Sequence, residues 1–311
     1  MFLIPIALLA SAFAACSGSA QPKEPKVVER PTPTAADVSY GEHARQKFDF
    51  WQAESDKPTP LVVMIHGGGW RIGDKSGYGT GSIKPFLNAG ISVAAVNYRF
   101  IAQATEQKVE PPVKAPLHDA ARALQVLRSK AKEWNLDKTR VGATGGSAGA
   151  CTSLWLALHD DLADPKSDDP IARESTRLTC AAVNGAQTSL DPKQLAEWMP
   201  NATYGGHAFG YANLKLAAEN REKILPLIRE YSPIELVTKD DAPVYLQYSA
   251  QDKPVEVGQS PKDPTHAAIY GVKLAEVMAK AGVEAEVSWP EQPSKKYKNA
   301  TEFLIKKLTA K

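Results

Sequence analysis

Two glycine-rich motifs, each at the end of an apolar run, constrain the fold of this chain most. One is His-Gly-Gly-Gly-Trp at 66–70, directly after the apolar residues 61–65, and the other surrounds Ser147 at 145–149 as Gly-Gly-Ser-Ala-Gly. In G-x-S-x-G a strand turns so sharply into a helix that the serine hydroxyl stands clear, and larger flanking side chains would clash. The sequence therefore predicts a strand–turn–helix at Ser147, and a loop at 66–70 whose backbone N–H groups face a developing oxyanion.

Between residues 38 and 308 the chain alternates strand-like and helix-like segments. This alternation is typical of an α/β fold with a mostly parallel sheet, helices on both faces, and ligands at the carboxyl ends of the strands. We predict eight strands, of which the first two form an antiparallel hairpin, at 38–40, 47–51, 61–65, 91–97, 140–144, 179–184, 244–248 and 283–289. Helices are predicted at 82–88, 117–134, 148–158, 265–281 and 300–308.

The segment 187–232 interrupts this alternation. An insertion at this point is expected to lie over Ser147 as a cap. Its aromatic residues support two interpretations: a wall that faces a sugar or phenolic substrate, or a small apolar core that belongs to the cap itself. The residues concerned are Trp198, Tyr204, His207, Phe209 and Tyr211.

The N-terminal residues 1–15 are almost wholly apolar but too few to span a bilayer stably, which favours an export signal. Residues 13–16 resemble a bacterial lipoprotein box, so we predict a signal peptide over 1–16 with Cys16 as the lipidation site. The alternative is an ordinary secretory signal that is cleaved near Ala15 or Ala20. Residues 17–36 are predicted to be a disordered tether, and 37–311 the folded domain. The protein is thus expected to be a periplasmic or outer-membrane-anchored lipoprotein, or else secreted.

Charge excludes one class of partner. The 37 basic and 35 acidic residues nearly cancel, so the sequence gives no indication of nucleic-acid binding, and membrane contact is expected only through an N-terminal lipid. The acidic stretch 160–169 does not follow EF-hand spacing. We interpret it as a solvated loop, and no metal site is predicted.

Taken together, the motifs resemble those of α/β-hydrolases in the hormone-sensitive-lipase-like and feruloyl or acetylxylan esterase-like branch, the BD-FAE-like group. The resemblance covers about residues 37–309 and rests on the segments 66–70, 73–75, 97–99, 145–149 and 231–234. It implies ester hydrolysis by a Ser–His–Asp triad without a metal or organic cofactor. The roles it implies are nucleophile for Ser147, oxyanion hole for the N–H groups of Gly67, Gly68 and Ala148, and orienting acid for Asp252.

The histidine departs from the family pattern. Related hydrolases carry it after the last strand, but residues 289–298 contain no histidine. Without an imidazole in reach the serine is a poor nucleophile. His266 keeps the chain order Ser, Asp, His and follows a long loop that could return to Ser147. The alternatives are that His266 only begins a helix, or that His207 is the base; Glu256 and Asp263 are further candidates for the acid.

The sequence thus predicts an exported serine carboxylesterase that hydrolyses a short-acyl or aromatic-acyl ester, with polysaccharide-borne esters as the substrate class that the resemblance favours. The rival hypothesis is an inert hydrolase-fold protein that only binds a carbohydrate or a partner.

Overall fold

The computed structural model describes residues 29–310, which form one eight-stranded sheet covered by helices. The strands are β1 (Ala35–Ser39), β2 (Lys47–Trp51), β3 (Thr59–Ile65), β4 (Ser92–Val96), β5 (Leu136–Gly146), β6 (Cys180–Asn184), β7 (Val244–Gln247) and β8 (Ala285–Ser288). The α-helices are α1 (Thr80–Asn88), α2 (Ile101–Glu106), α3 (Lys114–Ser129), α4 (Ala148–Leu158), α5 (Pro192–Trp198), α6 (Leu214–Glu219), α7 (Arg221–Tyr231), α8 (Ile269–Ala281) and α9 (Ala300–Thr309).

The strand order is β1-β2-β4-β3-β5-β6-β7-β8. Strand β2 pairs antiparallel with β1 and β4, and the remaining neighbours pair parallel. Every residue of β3 and β4 is buried because helices cover both faces of the sheet. Alternate residues of β3 face opposite layers: Val62 and Met64 lie in a cluster with α1 and α9, and Val63 lies in one with α3 and α4. The predicted fold class is confirmed.

Several helices differ from the sequence prediction. The helix expected at 265–281 begins only at Ile269, and the one expected at 117–134 spans Lys114–Ser129. The prediction lacks the short helices α2, α5 and α6, because helices of six or seven residues are held by tertiary packing and give little periodic signal. It also lacks α7, which has 11 residues and lies within the segment predicted as an insertion. Among residues 29–310, no helix has both the length and the apolar character that crossing a bilayer requires.

The connection from β6 to β7 carries the predicted insertion, with α5, α6, α7 and 3₁₀ turns at Gly206–Phe209 and Pro233–Glu235. Its larger aromatic side chains point inward: Trp198 is 6% exposed and Phe209 is 7% exposed. Trp198 packs edge-on against Tyr270 of α8 at a ring separation of 6.0 Å. These contacts favour the interpretation in which the aromatic residues form an apolar core.

Residues 29–36 differ from the predicted tether, because in the structure they lie against the folded domain. Glu29 O accepts a hydrogen bond from Thr80 N–H at 2.8 Å, and Pro31 O accepts one from Trp51 Nε1 at 2.8 Å. The Arg30 guanidinium lies 5.4 Å from the centre of the Trp51 ring. Composition alone suggested disorder, since the partners of these residues lie far along the chain. The signal segment and Cys16 lie outside the described residues.

A fully buried carboxylate holds this N-terminal segment in place. Asp49 of β2 has no exposed surface and forms ion pairs with Arg30 and with Lys75 Nζ at 2.8 Å. It also accepts the backbone N–H of Asp37 at 2.9 Å. Burial by itself raises the pKa of Asp49, but these hydrogen bonds outweigh it and hold the pKa below its ordinary value.

Substitution Asp49→Asn is expected to lower the free energy of unfolding by about 3 kcal/mol, because it removes the buried charge that Arg30 and Lys75 share and leaves Lys75 only the exposed carboxylate of Asp37. Since folding lowers the pKa of Asp49, its contribution is present above the unfolded pKa of about 3.9 and is lost as the pH falls through the folded pKa. Urea unfolding at pH 7 measures the change. Glu133→Gln removes a more exposed ion pair with Lys130 and should cost less than about 1 kcal/mol. If both variants lost the same free energy of unfolding, the proposed contribution of Asp49 to stability would be contradicted.

Candidate active site

Ser147 lies in the sharp turn between β5 and α4, as its motif predicts. Its backbone φ is positive, at 54°, with a ψ of −122°, and its N–H donates to Asn184 O at 2.9 Å. The turn brings the start of α4 against the end of β3. A Cβ on Gly149 would lie 2.0 Å from Ile65 O, so only glycine fits there. The non-glycine φ is a strained conformation that the surrounding hydrogen bonds and packing maintain.

The glycine-rich loop after β3 lies beside this turn. A Cβ on Gly67 would stand 3.4 Å from Ser147 Cβ, and both residues line the same pocket. Gly68 has a φ of 99°, a value that residues other than glycine rarely adopt. Ala148 opens α4, where the first N–H groups of a helix have no partner within the helix. The structure therefore brings the predicted oxyanion loop and the start of α4 to the same place as the serine.

The loop is supported by His66 as a neutral imidazole. Burial lowers the pKa of His66 to about 4. Its Nδ1 lies 2.8 Å from Gly67 O, and Arg45 Nη2 lies 3.3 Å from Nε2. Arginine can only donate, so Nε2 is the acceptor and Nδ1–H donates to the Gly67 carbonyl. Tyr98 Oη donates to His66 O at 2.7 Å. Arg45 was missed in the sequence analysis, because no nearby motif marks it.

His266 is the histidine that contacts the serine. Its Nε2 lies 3.0 Å from Ser147 Oγ, within the range of a hydrogen bond that transfers a proton. The ring also packs on Gly185, where an added Cβ would stand 3.2 Å from His266 Cδ2. His207, the alternative base, packs 5.9 Å from the Trp70 ring and 4.8 Å from the Tyr204 ring instead.

The carboxylate that contacts this histidine is Asp263, and here the structure differs from the assignment of Asp252. Asp263 Oδ2 lies 2.8 Å from His266 Nδ1, while Oδ1 accepts the N–H of Thr265 at 3.1 Å. Asp252 lines the same pocket, but its Oδ1 accepts the N–H of Lys262 at 3.1 Å. Asp263 precedes His266 by three residues, so one turn of the loop brings the carboxylate to the imidazole. The chain order Ser, Asp, His did not distinguish Asp263 from Asp252.

The charge on Asp263 suits this contact. Partial burial raises the pKa of Asp263, but the hydrogen bond and charge of His266, with backbone N–H groups, outweigh it and hold the pKa below its ordinary value. An ionised carboxylate at Nδ1 fixes the imidazole with its proton on that nitrogen and a lone pair on Nε2. The nitrogen at the serine is then able to accept a proton.

Side chains from other parts of the sequence hold the histidine loop in place. The buried Gln187 donates from Nε2 to Thr265 O at 2.6 Å, and Asn201 Nδ2 donates to Pro261 O at 2.7 Å. At the far end, Gln251 Oε1 accepts the Ala268 N–H at 2.9 Å. The insertion therefore supports the loop that carries His266. Sequence reasoning missed these three residues, since isolated amides carry no recognisable pattern.

The pocket over Ser147 has a volume of about 410 Å³. Its walls are glycine, alanine, proline and polar residues, and no aromatic side chain of residues 29–310 lines it apart from the His266 imidazole. The cap aromatics therefore do not form the expected substrate wall in this pocket. Within the described part of the chain, no group of three or more His, Cys, Asp or Glu residues is arranged to hold a metal ion.

A serine at a strand–helix turn of a mostly parallel sheet, beside a glycine-rich loop and a histidine from a later loop, defines an α/β-hydrolase. Within that class, residues 49–263 match the BD-FAE family model, and the chain belongs to this family. The matched region ends three residues before His266.

The curated relatives that this chain matches include proteins named as esterases. The Mycobacterium tuberculosis protein named "Probable carboxylic ester hydrolase LipM" is 30% identical over 151 residues, which are 47% of this chain and 32% of that protein. This chain spans between about a quarter and a half of the length of the first curated relatives it matches.

Two examples illustrate the solved structures that share this fold. One, a truncated carbohydrate esterase from gut microbiota, has a TM-score of 0.67 at 19% identity and covers 91% of this chain and all of its own. The other, an acetyl ester-xyloside bifunctional hydrolase from Caldicellulosiruptor lactoaceticus, has a TM-score of 0.60 at 22% identity, with 87% and 88% covered.

The contacts of His266 predict how fast Ser147 reacts with a fluorophosphonate. The substitution His266→Ala should slow labelling by about 10³-fold, because the hydroxyl of Ser147 then keeps its proton. The substitution Asp263→Asn should slow labelling by about 10²-fold or more, because it disturbs the orientation of the imidazole. The rate of label incorporation measures this. His159→Ala is the matched control, since His159 lies at the far end of α4 and pairs with Glu230. A greater loss for Asp252→Asn than for Asp263→Asn would contradict the assignment of the acid.

Proposed function

We propose that this protein is a serine carboxylesterase in which Ser147, His266 and Asp263 form the catalytic relay. The observation that carries the proposal is the 3.0 Å contact between His266 Nε2 and Ser147 Oγ, in a pocket that Gly67 also lines. A pocket that only binds a ligand needs neither a strained serine nor an imidazole directed at its hydroxyl. The contact therefore supports an enzyme rather than an inert binding protein. The hypothesis of an inert protein rested on the absence of a histidine after the last strand.

In the acylation step, Ser147 Oγ attacks the carbonyl carbon of the ester while its proton passes to His266 Nε2. The carbonyl π electrons move to oxygen, and the oxyanion is stabilised by the N–H groups of Gly67, Gly68 and Ala148. Each such donor contributes about 3–4 kcal/mol to transition-state stabilisation in comparable sites. Asp263 stabilises the imidazolium through Nδ1–H. When the tetrahedral intermediate collapses, the bond to the alcohol oxygen breaks, and Nε2 returns the proton to that oxygen.

In the deacylation step a water molecule takes the place of the alcohol. His266 removes one proton from the water, whose oxygen attacks the acyl-enzyme carbonyl and forms a second tetrahedral oxyanion in the same site. Collapse breaks the bond to Ser147 Oγ, which regains the proton from Nε2. The products are a carboxylic acid and an alcohol, and no redox partner or cofactor takes part.

We further propose that the acyl group is short and that the alcohol is a carbohydrate. Among residues 29–310, the pocket at Ser147 is lined by glycines, polar residues, Ala250 and Pro261, and by no aromatic side chain other than the His266 imidazole. It therefore offers no aromatic ring to stack on a feruloyl group and no large apolar side chain to pack on a long acyl chain. This chain shares its fold with a carbohydrate esterase and an acetyl ester-xyloside hydrolase, which supports a carbohydrate as the alcohol. An acetyl ester of a polysaccharide is the substrate class that fits both observations.

The proposal is tested by hydrolysis of 4-nitrophenyl acetate and 4-nitrophenyl octanoate. The wild type should hydrolyse the acetate with the higher kcat/KM, and Ser147→Ala should lose at least about 10³-fold in kcat, because no acyl-enzyme can form. Release of nitrophenolate gives the rate. Ser129→Ala, at the C-terminal end of α3, controls for the loss of a serine hydroxyl elsewhere. A folded wild type that hydrolyses neither ester would contradict the proposed esterase function.

We also propose that the protein is exported and that membrane contact occurs only through a lipid on Cys16. The support is the apolar segment 1–15 and the resemblance of 13–16 to a lipoprotein box, both of which lie outside the described residues.

In a bacterial host that processes lipoproteins, full-length wild type should partition into the detergent phase of a Triton X-114 extract, and Cys16→Ala should not. Cys180→Ala is the matched control, because that thiol is free but buried. Detergent partition that is unaffected by Cys16→Ala would contradict lipidation, and retention of the whole protein in the cytoplasm would contradict export.

A further inference from the structure

A second cavity of about 480 Å³ adjoins the catalytic pocket. It lies between residues 251–255, which follow β7, and the turn 289–292, which follows β8. Gln251 and Asp252 line both cavities, so a group that extends from the serine pocket past these residues enters the second one. The volume lies within the range of sites that hold small organic ligands, about 300–1,000 Å³.

The walls of this cleft are held in a fixed geometry. Trp289 and Gln292 pair through two backbone hydrogen bonds of 3.2 and 2.9 Å, which closes a tight turn. Glu291 Oε2 accepts the Gln251 N–H at 3.3 Å and so joins the two walls. The Gln251 side chain is itself fixed, because its Nε2 donates to Ser249 O at 2.7 Å. A cleft that is formed before the ligand arrives costs little ordering on binding.

The side chains in the cleft suit a polyhydroxylated ligand. Asp252 uses Oδ1 to accept the Lys262 N–H, which leaves Oδ2 to accept a hydrogen bond from a hydroxyl. Glu291 and Gln292 add acceptors and an amide donor, and Lys253 adds an ammonium donor. Hydrogen bonds to charged groups are roughly twice as strong as neutral ones, and a sugar presents several hydroxyls at fixed spacing.

The charge balance selects among sugars. Two carboxylates, Asp252 and Glu291, face one ammonium group, Lys253, so the cleft is negative on balance. A uronate would bring a further negative charge into this field, and like charges at an interface act against binding. A neutral sugar unit meets no such repulsion.

We propose that this cleft is the subsite for the alcohol part of the substrate, and that it binds a neutral sugar unit next to the esterified one. The inference rests on the proposed esterase function and deepens it. In this chain the turn after β8 carries no member of the proposed catalytic relay, so Glu291 and Gln292 shape the cleft and bind the sugar without touching the reacting atoms. Discrimination between esters then depends on residues that do not touch the reacting atoms.

The test compares kcat/KM for an acetylated xylo-oligosaccharide with kcat/KM for 4-nitrophenyl acetate, which is too small to fill the cleft. Glu291→Gln, which weakens the acceptor, and Gln292→Trp, which fills the cavity, should each lower the ratio of the two constants at least tenfold, chiefly through the KM of the oligosaccharide. Glu197→Gln, on the exposed side of α5, is the matched control and should leave the ratio unchanged. An acetylated galacturono-oligosaccharide should be at least tenfold poorer than the neutral one for the wild type.

Each other outcome is decisive. A fall of less than tenfold in the ratio for either variant overturns the subsite, and so does an equal loss on both substrates or a preference for the uronate. If the wild type hydrolyses no ester at all, the esterase function fails, a result distinct from an active enzyme whose ratio does not respond.

Discussion

The close approach of β3 and β5 at the carboxyl edge of the sheet is the constraint on which the rest of the site depends. These two strands pair in parallel, and Gly149 lies so near Ile65 O that any side chain would collide with it. The contact places the glycine-rich loop after β3 beside the serine after β5. Two motifs about eighty residues apart thereby form one surface, and Gly67 and Ser147 line the same small pocket.

The imidazole that contacts the serine reaches this surface by an unusual route. In this chain the residues after β8 supply no imidazole, and the loop between β7 and α8 brings His266 to Ser147 together with its own carboxylate, Asp263. Gln187 and Asn201 hold that loop from the β6–β7 connection. The insertion therefore acts as a support for the histidine rather than as an aromatic wall over the serine. An imidazole on a long loop transfers protons efficiently only if such contacts fix its position.

The same loop borders both the pocket at Ser147 and the second cleft. Its C-terminal part carries Asp263 and His266, and its N-terminal part, with Asp252, borders the cleft beside the turn after β8. Asp252, at the position expected for the orienting acid, instead accepts the Lys262 N–H and borders the cleft. In our proposal, mutations therefore change the reactivity of the serine and the choice of alcohol independently.

Much of the molecule follows from local pattern. The buried strands, the helices α4 and α9, and the turn at Ser147 were predictable because apolar periodicity and glycine spacing are properties of neighbouring residues. His266 was predictable as a candidate from chain order, and its partner Asp263 only as an alternative to Asp252. What only the tertiary structure decided is every feature that joins distant residues: Asp263 rather than Asp252 at the imidazole, the supports from Gln187 and Asn201, and the docking of residues 29–36 on buried Asp49. A sequence records which side chains are available, whereas hydrogen bonds of about 3 Å depend on how strands and loops pack, and no local pattern encodes that distance.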